Sequence, residues 1–230
     1  MTEIIKINEN TWRIEDGFVR FFLIEGSDKA LLLDSGVNSQ NAAEIIKEIT
    51  DKPIMLLNTH GDMDHISGTG GFSKIHMHIE DYLGCDIKNK YPDVQFVKIE
   101  DGDMINLGNR VLQVIYIPGH TKGSIALLDL NNRILFAGDS VQKGNIFMFG
   151  NHRCKEMYKS SLEKLILLKD KYDVIYASHD EYALPDNYAE KVMEVWNLVC
   201  DEKISYEIVD LFGNKVKSYS TDICGFYIEG

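Results

Sequence analysis

Four short apolar runs in this chain each end in a histidine or an aspartate, and this pattern restricts the fold more than any other feature. Ile54–Leu57 leads into NTHGDMDHISGTGG, which carries His60, Asp62, Asp64 and His65. Val111–Ile117 leads to His120 in IPGHTKGS, Ile134–Ala137 to Asp139 in FAGDS, and Val174–Ala177 to His179 in ASHDE. Compact apolar runs bounded by turn residues read as buried strands. Loops at the carboxyl ends of strands carry the sites of layered α/β proteins. If the four ends share one edge, these side chains converge.

The surrounding sequence supplies the layers. Ile4–Ile7, Thr11–Ile14, Val19–Ile24, Ala30–Leu33, Lys74–His78, Val94–Ile99 and Met104–Leu107 also read as strands, and Ser124–Leu130 with Arg133–Ala137 as a hairpin. Helical spacing of apolar residues marks Asn41–Ile49, Ile79–Asp86, Cys154–Lys169 and Asn187–Leu198. The tail from Ile204 to Ile228 alternates like strands. No repeat of solenoid length appears, and no G-x-G-x-x-G follows the first strand, which excludes a Rossmann fold. Strands first, then strands mixed with helices, predict one layered α/β domain over residues 1–230, with 204–230 as a C-terminal strand extension.

Net charge narrows the partners. At −12 the surface repels phosphate backbones, so no nucleic-acid partner is expected. No apolar run reaches membrane-spanning length, and MTEIIKINEN lacks the basic start and apolar core of a signal peptide. Cys85, Cys154, Cys200 and Cys224 form no C-x-x-C pair and are expected as reduced thiols in a cytoplasmic protein. A small-molecule substrate is the expected partner, with a homo-oligomer left open.

The convergent set is His60, Asp62, Asp64, His65, His120, Asp139 and His179. Imidazoles suit zinc, iron or copper, and carboxylates add affinity for harder ions such as manganese. Seven such ligands exceed one tetrahedral ion and suit two ions about 3.5–4 Å apart. A calcium loop is excluded, because Ile66 and Ser67 stand where it needs an oxygen ligand and a glycine. His76 and His78 share a strand face without an acid or histidine at matching spacing, so they are expected to be structural. No G-x-S-x-G elbow is present.

These residues and their loops resemble the metallo-β-lactamase fold superfamily, whose motif H-x-H-x-D-H is followed by a distant His, Asp and His. The likeness runs from LLLDSG, with Asp34, to His179. It implies a four-layer αββα sandwich. It implies that His60, Asp62 and His120 hold a first divalent ion and Asp64, His65 and His179 a second, with Asp139 between them. Asp34 would orient ligands from behind. Zinc is the expected metal, with iron or manganese as alternatives. The implied chemistry is hydrolysis of a small ester, lactone, thioester or phosphodiester by a metal-bridging hydroxide, with Asp64 accepting its proton.

Asp62 stands where the motif has its second histidine. Two divalent ions, three carboxylates and one hydroxide then sum to neutral, whereas a histidine leaves one positive charge. By sign alone, Asp62 predicts a less electrophilic first site, and Asp62→His is expected to raise zinc affinity. It also motivates an alternative, a non-haem iron redox enzyme of persulfide-dioxygenase or flavodiiron type. A non-catalytic metal-binding module is the third reading. Near the site, Phe147, Met148 and Phe149 are expected to wall an apolar pocket, and His152, Arg153 and Tyr182 to face the substrate.

Overall fold

Strand Val19–Glu25 shows how the layers stack. Phe22 and Ile24 enter one apolar cluster while Phe21 and Leu23 enter another, as the two-residue period of a strand requires. Its centre, Phe21–Ile24, is buried on both faces and therefore reads as an unbroken apolar run. The computed structural model describes residues 2–38 and 41–230.

The first sheet contains β1 (Glu3–Asn8), β2 (Thr11–Asp16), β3 (Val19–Glu25), β4 (Ala30–Leu33), β5 (Ile54–Leu57), β6 (Lys74–Met77) and β7 (Gln95–Lys98), side by side in chain order. It is antiparallel as far as β4 and parallel from β4 to β7. The second sheet is built from β8 (Met104–Asn106), β9 (Val111–Tyr116), β10 (Ile125–Asp129), β11 (Ile134–Gly138), β13 (Val174–Ala177) and β14 (Ala183–Pro185), in the order β14-β13-β11-β10-β9-β8. Phe22, Ile24, Leu31 and Leu33 meet Leu112, Val114, Leu127 and Phe136 between the sheets. At roughly 1.5–3 kcal/mol for each fully buried large apolar side chain, this central layer favours the stacked arrangement strongly.

Helices cover both outer faces. Helix α1 (Ala42–Ile46) packs on the first sheet through Ala42 and Ile46, and α3 (Ile79–Gly84) and α4 (Ile87–Lys90) lie on the same side of the chain, with Ile87 buried there. Helix α2 (Met63–Ile66) is one turn inside the histidine-rich loop. On the second sheet α5 (Lys155–Leu167) buries Tyr158, Ser161, Leu162 and Leu165, one helical stripe. It packs beside α6 (Tyr188–Cys200). The result is an αββα sandwich. No helix among the described residues is long and apolar enough to cross a membrane.

A third, four-stranded sheet goes beyond the sequence reading. Its order is β12-β17-β16-β15, combining β12 (Asn145–Met148) with β15 (Glu207–Leu211), β16 (Asn214–Ser220) and β17 (Gly225–Glu229). Strand β12 pairs parallel with β17, so Asn145 is opposite Gly225. A four-residue strand whose partner is so distant in sequence carries no local signal of its own. The tail is therefore joined to the segment just past Asp139, and Tyr219 and Phe226 enter the core with α5 and α6.

Candidate metal centre

Strand direction brings the four loops together. Strands β9 and β11 both run antiparallel to β10, and β13 runs parallel to β11. His120, Asp139 and His179 therefore leave the same edge of the second sheet. Strands β4 and β5 are parallel neighbours, which sets Asp34 beside the loop of His60. Gly138 turns the chain into Asp139 at φ +55, and a Cβ there would meet Thr59 Oγ1 at 3.1 Å. A left-handed backbone against a close neighbour favours glycine.

The side chains form two groups. His60, His120 and Asp139 make one, and Asp64, His65 and His179 the other, each with ligand atoms within 4.8 Å of one another. His60 Nε2 is 3.2 Å from His120 Nε2. Asp62 Oδ2 is 3.2 Å from His120 Nε2 and 3.6 Å from His60 Nε2. Asp139 Oδ2 lies 3.7 Å and 3.9 Å from those same nitrogens and 3.1 Å from His179 Nε2, so it sits between the groups. Asp64 Oδ2 is 3.4 Å from His179 Nε2 and 3.7 Å from His65 Nε2.

The far side of each ring sets its tautomer. His65 Nδ1 meets Asp34 Oδ2 at 2.8 Å, His120 Nδ1 meets the Phe147 carbonyl at 3.0 Å, and His179 Nδ1 meets the Phe18 carbonyl at 2.8 Å. These oxygens only accept, so each Nδ1 carries the hydrogen. Thr59 Oγ1 donates to Asp34 Oδ2 at 2.8 Å and is thus left to accept from His60 Nδ1 at 2.9 Å. With Nδ1 engaged on its far side, each of the four rings turns Nε2 inward, the atom that metal-binding histidines present.

This donor set fits divalent ions. His60 Nε2 and His120 Nε2, 3.2 Å apart and both turned inward, have the spacing of two ligands of one ion. His65 Nε2 and Asp139 Oδ1 are both buried without a hydrogen-bond partner, although they approach to 3.1 Å. Atoms that share a tetrahedral zinc at about 2.0–2.2 Å stand roughly 3.3–3.6 Å apart, close to the spacings here.

Charge differs between the groups. Burial opposes protonation of His65, but the carboxylates of Asp139, Asp34 and Asp64 outweigh it and hold the ring well above the usual imidazole value. His179 also resists burial, and Asp139 and Asp64 push it up to about 10. His120 moves the other way, lowered by burial and by Arg153. Burial would raise Asp62 and Asp139. Hydrogen bonds to His120 and His60, with Arg153 nearby, hold Asp62 well below the carboxylate range. The neighbouring histidines His179, His65 and His60 do the same for Asp139.

Asp34 secures the loop from behind. It accepts Thr59 N–H at 2.7 Å besides its bonds to Thr59 Oγ1 and His65. Its φ is +67, a conformation uncommon for a residue other than glycine, and these bonds offset that strain.

Sequence reasoning missed Asp81. This fully buried carboxylate accepts from Gly61 N–H at 2.7 Å, Gly123 N–H at 2.7 Å and Thr121 Oγ1 at 2.8 Å. It therefore ties the His60 loop to the His120 loop. An acid inside a short amphipathic helix carries no mark of this in the sequence. Arg20 does similar work for His179, with its guanidinium on the carbonyls of Ala177 and Asp180.

The expected substrate-facing residues separate. Arg153 lines the cleft over the site, which has a volume of about 520 Å³, together with Phe18, Met63, Phe147, Phe212 and Tyr227. His152 does not line it. Its Nε2 is 2.8 Å from Asp81 Oδ1, because a buried carboxylate captures the ring. Tyr182 is also outside, with the Arg13 guanidinium 3.9 Å over its ring and a tilted contact to Tyr176. Met148 turns into the core and Phe149 leans on Phe147. His76 bonds the Leu56 carbonyl and His78 stacks on Tyr116.

A family model described as the metallo-beta-lactamase superfamily matches residues 14–179, and the chain belongs to that superfamily. The human acyl-coenzyme A thioesterase MBLAC2 is 24% identical over 189 residues, which cover 65% of this chain and 68% of that protein. The mouse mitochondrial persulfide dioxygenase ETHE1 is 29% identical over 163 residues, 69% of this chain and 61% of its own. Hydroxyacylglutathione hydrolase of Prochlorococcus marinus (strain MIT 9301) is 32% identical over 126 residues, 54% of this chain and 50% of its own. A metallo-beta-lactamase from Pontibacter korlensis superposes with a TM-score of 0.72 at 18% identity, covering 86% of this chain and 99% of that one, a likeness of fold.

Proposed function

We propose that this chain is a metal-dependent hydrolase of a small ester, lactone, thioester or phosphodiester that carries an apolar group. The observation behind this reading is a cleft with two metal-competent groups at its floor and phenylalanines at its mouth. Hydrolases among the relatives support the reaction type. When bound, two divalent ions, zinc by preference, would polarise the attacked bond and make water nucleophilic near neutral pH.

The chain's own residues do the rest. His60, Asp62, His120 and Asp139 would hold one ion, and Asp64, His65, His179 and Asp139 the other. Asp64 lines the cleft, and its carboxylate would take the proton of the attacking water. Phe18, Met63, Phe147 and Phe212 would bind the apolar part of the substrate and exclude water beside the scissile bond. The test is hydrolysis of a panel of esters, lactones, thioesters and phosphodiesters by zinc-loaded protein. Turnover abolished by chelation and restored by zinc supports the reading, and no turnover across the panel overturns it.

Asp62 favours one second reading. A carboxylate at this position, with the likeness to persulfide dioxygenase, suits an iron redox site. Elemental analysis of protein expressed with ample iron decides between the two, and protein holding zinc alone excludes the redox enzyme.

A further inference from the structure

We propose that Arg153 is the resident counter-ion of Asp62, a positioning residue that gives this carboxylate the net charge of the histidine it replaces. The inference rests on the metal-centre reading above and concerns only its first half. Arg153 grips Asp62 with both arms, Nη1 to Oδ1 at 3.1 Å and Nη2 to Oδ2 at 2.7 Å. This bidentate fork fixes the carboxylate's plane as well as its charge. The oxygen on Nη2 is also the one that approaches His120 Nε2 at 3.2 Å. Asp62 therefore presents one oxygen to the centre while Arg153 holds both from the cleft side. Nη1 reaches to 3.3 Å from His120 Nε2, so the guanidinium lies against the ligand atoms themselves.

The backbone around Arg153 is built to keep it there. The chain turns at Gly150 with φ +99, and Arg153 N–H bonds the Gly150 carbonyl at 3.2 Å. Cys154 N–H then bonds the Gly119 carbonyl at 2.8 Å, and Lys122 N–H bonds the His152 carbonyl at 3.0 Å. Gly119 and Lys122 flank His120. His152 meanwhile is held by Asp81, which also holds Gly61 between His60 and Asp62. The residues on either side of Arg153 are thus anchored to the two loops that carry His60, Asp62 and His120.

This changes the charge argument drawn from Asp62 alone. With the guanidinium counted, the set of two ions, three carboxylates, one hydroxide and one arginine carries one positive charge, as a site with histidine in place of Asp62 would. Both terminal nitrogens of Arg153 already face Asp62, so an anionic substrate at Arg153 would compete with that pair.

The test is zinc binding by the full chain, read by native mass spectrometry and chelator competition, for native protein, Asp62→His, Arg153→Met and the double variant. Asp62→His alone should weaken the first-half zinc roughly tenfold or more, because it leaves an unpaired guanidinium beside a cation. The double variant should recover native affinity. The zinc on Asp64, His65 and His179 should persist in every variant and reports that the fold is intact. The visible spectrum of the cobalt-loaded forms should change in Asp62→His and return in the double variant. Overturning results are Asp62→His binding the first zinc as tightly as the double variant, or additive effects of the two substitutions. Native protein that takes up no zinc would overturn the metal-centre reading itself, and this inference with it.

Discussion

The two halves of the candidate metal centre manage charge in opposite ways. Around His65 and His179, carboxylates outnumber the rings: Asp64, Asp139 and Asp34 hold His65 well above the ordinary imidazole value and, without Asp34, His179 at about 10. Around His120 a guanidinium sits close by, and burial with Arg153 keeps that ring below its ordinary value. In the metal-free protein the second half therefore stores protons, while His120 in the first half stays neutral. One half must release protons to accept a cation, and the other must accommodate a cation beside Arg153. The difference teaches that similar ligand types need not bind metal with the same pH dependence.

The largest effect should come from erasing what the halves share. Asp139→Ala removes the carboxylate between them and should abolish tight zinc binding in both. Retention of one full equivalent by elemental analysis would show that the halves are independent. Asp34→Ala acts most directly on the second half, by taking the acceptor from His65 Nδ1, and reaches His60 only indirectly, through Thr59. Loss of such an orienting partner costs about 10–100-fold in metal affinity. That loss should fall on the Asp64, His65 and His179 zinc, and competition with a graded chelator series would show an equal loss in both halves if the division is wrong.

Proton release sharpens the comparison next. Zinc uptake near pH 7 should release about two protons per chain, from His65 and His179, because metal displaces protons from its ligands. Calorimetry in buffers of different ionisation enthalpy measures this. The sign for stability follows from the same two rings. A folded value raised above the unfolded 6.5 stabilises the fold below about pH 6.5 and loses that contribution as pH climbs through the folded value, here about 10 for His179. The chelated protein should therefore melt at a lower temperature at pH 9.5 than at pH 7, and zinc should abolish most of the difference.

The same contrast separates what was legible in the sequence from what was not. His60, His65, His120, Asp139 and His179 could be read because each lies on a loop just past an apolar run, and β-strand direction does the rest. Asp62 could be read as a departure, but its partner could not. Arg153 lies far along the chain, in a turn whose position depends on β12 pairing with a tail strand. His152, beside it, has the same local character and faces the other way because buried Asp81 captures it. Tyr182, three residues past His179, is drawn off by Arg13. Local pattern thus located the side chains that converge at strand ends, and missed residues whose role comes from a distant partner.

The smallest expected effect lies farthest from the ions, at the tip of the tail hairpin. Leu211 pairs with Asn214 across a two-residue turn of Phe212 and Gly213, and both turn residues have positive φ, +54 and +80. That geometry favours Asn-Gly, so a phenylalanine here has been placed against local preference. It is also 85% exposed, yet it lines the same cleft as Phe18. Phe212→Asn should keep or tighten the turn while removing the aromatic face. Covering part of a ring is worth on the order of 1 kcal/mol, so KM for a substrate with a long apolar chain should rise about three- to tenfold, with kcat and zinc content unchanged. An acetyl substrate, too short to reach the hairpin, should be unaffected. Equal losses on both substrates would show that the hairpin acts on the centre as a whole and that the apolar rim does not select the substrate.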